Sequence, residues 1–152
     1  LSQSQPGAGR AETAIELDLP GGAILPEGRV RVFRRSAGRL DAVSEQVLRP
    51  AAGVARIELA PAADIVGTRK AVSCQSDDRT RTLREHVELE LANTGKLPAE
   101  VVVREFMWRW PAWRLEDETP KGTRAAPQTE EYRLALPPGS KRQIAYSVAY
   151  QW

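Results

Sequence analysis

The strongest constraint on this chain is an alternation of period two in its last ten residues. Ile144, Tyr146, Val148, Tyr150 and Trp152 take one parity; Gln143, Ala145, Ser147, Ala149 and Gln151 take the other. Successive side chains of a strand point to opposite faces, so this pattern makes one apolar and one polar face, whereas a helix needs apolar residues three and four apart. The habit recurs upstream. Leu83, Glu85, Val87, Leu89 and Leu91 share one parity against Arg84, His86, Glu88 and Glu90. Thr13, Ile15, Leu17 and Leu19 alternate with Ala14, Glu16 and Asp18, and Ala55, Ile57 and Leu59 with Arg56 and Glu58.

Turn residues separate these runs. Ser36-Ala37-Gly38 joins a run over 29–35 to one over 39–47 as a hairpin. Pro61 is expected to stop the strand that begins near Ala55, with extended structure resuming over 64–72. Asn93-Thr94-Gly95-Lys96 precedes a long strand expected over 99–110, and Pro137-Pro138-Gly139-Ser140 turns the chain into its last strand. The charged stretch 116–128 reads as a loop, followed by a strand over 129–136. About ten strands and no helix imply an all-β, immunoglobulin-like antiparallel β-sandwich, with a closed barrel as the alternative. A length of 152 residues suits one domain over 11–152 behind a flexible lead-in over 1–10, and the turn at Asp77-Asp78 is the one candidate division, near 75–79. The opening, without Met or a signal-peptide pattern, suggests a piece of a longer protein.

Charge and chemistry exclude more than they assign. Twenty-two basic residues nearly balance twenty acidic ones, and the only local basic stripe is Arg29, Arg31, Arg34 and Arg35, which fits a solvated strand face better than a nucleic-acid footprint. No apolar run approaches the ~20 residues that span a bilayer. Cys74 is the only cysteine, so no internal disulfide forms; it is expected to be a small buried hydrophobe. His86, the only histidine, lies mid-strand with no nucleophile beside it and is expected to be exposed. Neither Cys74, Asp77, Asp78 and His86 nor Glu116, Asp117 and Glu118 match a metal-ligand spacing, so neither metal nor cofactor is expected.

Residues 106–114, Phe-Met-Trp-Arg-Trp-Pro-Ala-Trp-Arg, hold three of the four tryptophans among arginines. Aromatic faces beside guanidinium groups suit a partner or sugar surface. On strand parity Phe106, Trp108 and Trp110 share one face, which favours packing in the core, with Glu105 and Arg109 opposite. Pro111 breaks the ladder and allows Trp113 to fold back toward Arg109. The candidate binding set is therefore Glu105, Trp108, Arg109, Trp110 and Trp113.

Four segments carry a resemblance. Residues 25–34 (LPEGRVRVFR), 64–69 (DIVGTR), 103–113 (VREFMWRWPAW) and 144–152 (IAYSVAYQW) are similar, in order, to segments of a bacterial family of unknown function related to the mucoidy-inhibitor-A-like proteins. The chain departs from that family in having Phe106-Met107-Trp108 where it carries His-Leu-Tyr. The resemblance implies the C-terminal β-rich part of a larger exported protein, periplasmic or secreted. The resulting expectation is a non-catalytic cell-envelope structural or interaction module, its partner another protein or the rest of the parent chain. The alternative is a carbohydrate-binding or carbohydrate-active protein that stacks sugars on Trp108, Trp110 and Trp113.

Overall fold

The computed structural model describes residues 7–152, and the molecule is an all-β sandwich. Its strands are β1 (Gly7–Asp18), β2 (Ile24–Leu25), β3 (Gly28–Ser36), β4 (Arg39–Leu48), β5 (Ala51–Ala52), β6 (Val54–Asp77), β7 (Thr82–Asn93), β8 (Ala99–Phe106), β9 (Ala112–Thr119), β10 (Thr123–Ala126), β11 (Thr129–Leu136) and β12 (Lys141–Gln151). One 3₁₀ turn at Pro20–Gly22 is the only helical element among the described residues.

The chain forms two compact units. One comprises the described residues up to Ala11 with Ala63–Trp152, the other Glu12–Ala62. The division thus falls inside β1 and β6 rather than near 75–79, where β6 is still paired with β7. Of the lead-in expected over 1–10, residues 1–6 lie outside the described residues. Residues 7–10 belong to β1, because backbone pairing needs no large side chain.

In the larger unit a five-stranded sheet, ordered β1-β6-β7-β12-β9, faces a three-stranded sheet, β10-β11-β8. β12 runs antiparallel between β7 and β9, with Tyr146 opposite Val87 and Glu118. Ile144, Tyr146, Val148 and Tyr150 are all inside, as the alternation requires; Trp152, one residue past the strand, is 40% exposed. They meet Leu83, Val87, Leu89 and Leu91 of β7 on their own sheet, and Tyr132 and Leu136 of β11 across from them. The rings of Tyr132 and Tyr146 stack between the sheets at 6.3 Å. Asn93, fully enclosed, donates to the carbonyls of Leu97 and Leu136 and so closes one end.

The smaller unit holds a hairpin, β3–β4, and a short pair, β2–β5. Ala37 and Gly38, with φ of 47° and 80°, make the two-residue turn whose twist matches the strands. Its core is Leu48, Ala55 and Ile57, with Ile15, Leu19, Leu25, Val30 and Val32 packed around them. On the hairpin's solvated side Arg29 and Arg31 both pair with Glu45.

Three local expectations fail for identifiable reasons. β6 does not stop at Pro61, because its ladder with β7 begins only at Ile65 and the missing N–H takes nothing from it. The stretch 116–128 is mostly strand, not loop: β9 is an edge whose ladder to β12 is backbone-made, so its charged side chains can remain outside. Cys74 is exposed, because β6 bulges at Val72 and every residue from Ser73 to the strand's end is uncovered.

Candidate functional site

The five expected site residues do not form one site. β8 ends at Phe106, so the segment 107–111 leaves the ladder and strand parity cannot be extended through it. Glu105 points inward with Val101 and Val103, while Phe106 and Trp108 are 59% and 54% exposed. Met107 fills the core position, with the Tyr150 hydroxyl 3.7 Å from its sulfur. The expectation that Phe106, Trp108 and Trp110 share a core face is thereby corrected. The unbranched thioether fits the space between the sheets.

Glu105 anchors an interior network. Its Oε2 accepts from the Tyr146 hydroxyl at 2.5 Å and from Arg69 Nε at 3.0 Å, while Arg69 Nη2 also reaches the Tyr146 oxygen at 3.3 Å. Three strands of two sheets (β8, β12 and β6) therefore meet at one carboxylate. Burial, and then the neighbouring carboxylate, push the Tyr146 phenol far above its ordinary value, so it remains a donor. Burial works against the Arg69 charge, but Glu105 and Tyr146 outweigh it and hold the guanidinium firmly protonated.

Arg109 makes a second buried pair. Its Nη2 donates to Glu85 Oε1 at 2.5 Å, with the two side chains 11% and 6% exposed, while its Nε is buried with no hydrogen-bond partner among the described residues. The guanidinium carbon also lies 4.5 Å from the centroid of Trp108. Arg109 does not stack on Trp113. That indole is buried, donates to the Pro127 carbonyl at 3.0 Å and carries Arg124 at 3.8 Å from its ring centroid. Trp110 packs edge-on to Tyr150 at 6.1 Å and stacks with Trp152 at 4.8 Å. The segment is thus a buried anchor (Arg109, Trp113), a half-buried bridge (Trp110) that carries the partly exposed Trp152 on its ring, and an exposed rim (Phe106, Trp108).

A third polar group lies along β11. Tyr132 reaches Glu118 Oε2 at 3.4 Å, an oxygen that also accepts from the Gly122 backbone at 3.2 Å. A Cβ at Gly122 would sit 2.9 Å from both Glu130 and Tyr132, so glycine is needed there for close approach. Burial and the Glu118 carboxylate raise the carboxyl of Glu130 above its ordinary value, against the pull of Arg124. No cluster of three or more His, Cys, Asp or Glu able to hold a metal occurs among the described residues. His86 is half-buried rather than exposed, its Nδ1 3.1 Å from the Ser147 hydroxyl.

Sequence reasoning missed Arg69, Glu85 and Tyr146 as members of these networks. For two of them the signal was present. Glu85 shares the parity of Leu83 and Val87, and Arg69 that of Ile65 and Gly67. A charge on an apolar face must find a partner opposite.

The comparisons with known proteins add no relative: no family model, curated protein or solved structure matches the chain.

Proposed function

We propose that this chain is a non-catalytic structural or interaction module of the bacterial cell envelope, periplasmic or secreted, belonging to a larger protein. It engages a protein segment, either of its parent or of a separate partner, through the rim formed by Phe106 and Trp108. One observation carries this reading. The rim's large aromatic side chains are exposed, yet their immediate neighbours Met107, Arg109 and Trp110 are tied into the sandwich. Rigid aromatic groups beside arginine are the residues on which protein interfaces concentrate their binding energy, because little side-chain freedom is lost on contact. The non-catalytic part of the proposal is supported by the use of Glu85, Glu105 and Glu118 in internal bonds. No envelope helix is implied here: among the described residues no helix is long and apolar enough to cross a membrane.

A polysaccharide is the second reading, favoured by the exposed indole of Trp108. Placing a photo-crosslinking amino acid at position 108 of the full-length protein, with position 143 as an exposed control, separates the two. A crosslinked protein peptide at 108 alone, lost on Phe106→Ser, supports the protein reading. No crosslink, with a Trp108-dependent change in indole emission on adding soluble envelope glycan fragments, supports the sugar reading. Neither response would remove the rim as a recognition surface.

A further inference from the structure

The sandwich is not filled everywhere. An open cleft of about 400 Å³ lies in the larger unit, lined by Gly7, Gly9 and Ala11 of β1, Ile65, Gly67, Thr68 and Arg69 of β6, Leu89 and Leu91 of β7, and Val101, Val102, Val103 and Glu105 of β8. Its origin can be read in the sequence. β1 presents Gly, Gly and Ala at 7, 9 and 11, where a packed sandwich would carry large apolar side chains, and β6 adds Gly67. A Cβ built at Gly7 or Gly9 would meet nothing within 4 Å, and neither glycine needs a positive φ. Backbone geometry therefore does not require glycine at these positions. Protein interiors otherwise pack to crystal-like density, and ligand sites are typically apolar clefts of a few hundred Å³ with a few placed polar groups.

We infer that this cleft is a binding site for a small uncharged amphiphile: an apolar body with one hydroxyl or amide head. The walls select the body, since Ile65, Leu89, Leu91, Val101 and Val103 offer only hydrocarbon. A cavity of about 150 Å³ already takes benzene, so this one suits a chain or bicycle of roughly twice that size. The head is selected by Arg69 and Glu105, which form the polar end and neutralise one another at 3.0 Å. An added carboxylate would face Glu105 and an added ammonium Arg69, beside a pair whose side chains are 33% and 11% exposed, so each would bring a like charge close. A hydroxyl or amide can both accept and donate. The bonds of Glu105 fall on Oε2 and those of Arg69 use Nε and Nη2, leaving Oε1 as acceptor and Nη1 as donor among the described residues.

The test uses one chain length with three heads: 1-octanol, octanoate and octylammonium, followed by methyl NMR and calorimetry on the full chain. Octanol should bind saturably, shifting the methyl signals of Leu89, Leu91, Val101 and Val103, with the charged congeners at least tenfold weaker. Gly9→Leu, which fills the space with a side chain, should retain the β spectrum and weaken octanol at least tenfold. Should that variant fail to fold, Ala11→Leu takes its place. Absence of saturable binding, unchanged affinity in the filled variant, or shifts centred on Phe106 and Trp108 would each overturn the site. Equal binding of octanoate or octylammonium would overturn the head-group class.

Discussion

β12 and the hairpin β3–β4 carry the same period-two pattern and meet different fates. β12 has a strand on each side and a second sheet over its apolar face, so Ile144, Tyr146, Val148 and Tyr150 are at most 2% exposed. In the hairpin Val30 and Val32, on the face that packs against Leu48, Ala55 and Ile57, are only half-buried. Alternation therefore specifies which face turns inward, while the number of neighbours decides how much that face is worth. The two regions should differ accordingly in stability.

The largest effect is expected at Tyr146. Truncation to Ala should cost about 4–5 kcal/mol, the upper part of the range for large buried aromatics, since it also removes a donor from Glu105. Val32→Ala should cost about 1 kcal/mol, the middle of the distribution for point substitutions. Chemical denaturation gives both values, and equal costs would break the comparison. A sharper form uses the probes themselves. All three tyrosines and all four tryptophans lie beyond residue 100, outside the smaller unit. Intrinsic fluorescence thus reports one unit and far-UV circular dichroism both. If the smaller unit opens first, the dichroism transition precedes the fluorescence transition; coincident curves would show a single cooperative block.

Much of this was legible in the sequence and part was not, for physical reasons. β7 and β12 could be read almost residue by residue because their inward positions, Glu85 and Asn93 excepted, are apolar and each strand is flanked by paired strands. β9 could not, because an edge strand can keep charged side chains outside and still complete its ladder. In the Trp segment the alternation holds from Glu105 to Trp108 but the inward face is the other one: Glu105 and Met107 take the core places, which leaves Phe106 and Trp108 outside. Apolar character alone does not fix the inward face where a buried carboxylate such as Glu105 has partners across the sandwich. Arg69 and Glu105 could be recognised as charges needing partners, but that they meet each other depends on β6 and β8 facing across two sheets. Sequence spacing does not reveal that.

The next effect, at Arg109, compares the anchor with the rim. Arg109→Ala leaves Glu85 buried without its cation and should cost about 3 kcal/mol, at the lower end of losses from breaking a buried pair. Trp113→Ala should also lower the melting temperature, through lost packing and the lost bond to Pro127. Trp108→Ala, on the rim, should change stability by no more than about 0.5 kcal/mol. Thermal melts of the three variants decide the matter. A stability loss at Trp108 matching that at Arg109 would mean the segment is one structural lock with no free surface.

The smallest expected effect concerns Glu130, buried on β11 beside the carboxylate of Glu118. Its raised folded value means that the native state holds this proton to higher pH than the unfolded chain does. Between the ordinary carboxylate value of 4.5 and the folded value the native state binds more protons, so this group's contribution to stability falls as pH rises through that window. Above the window the ionised side chain is a constant penalty, offset in part by Arg124. Glu130→Gln removes the penalty while retaining shape and hydrogen-bonding capacity. The variant should match the parent near pH 4 and exceed it by up to about 1 kcal/mol at pH 7, an effect of ordinary size for one substitution. Melting curves from pH 4 to 8 measure the difference. A variant less stable than the parent at pH 7 would show that attraction to Arg124 outweighs burial and the Glu118 charge, and that this end of β11 is held by an ion pair.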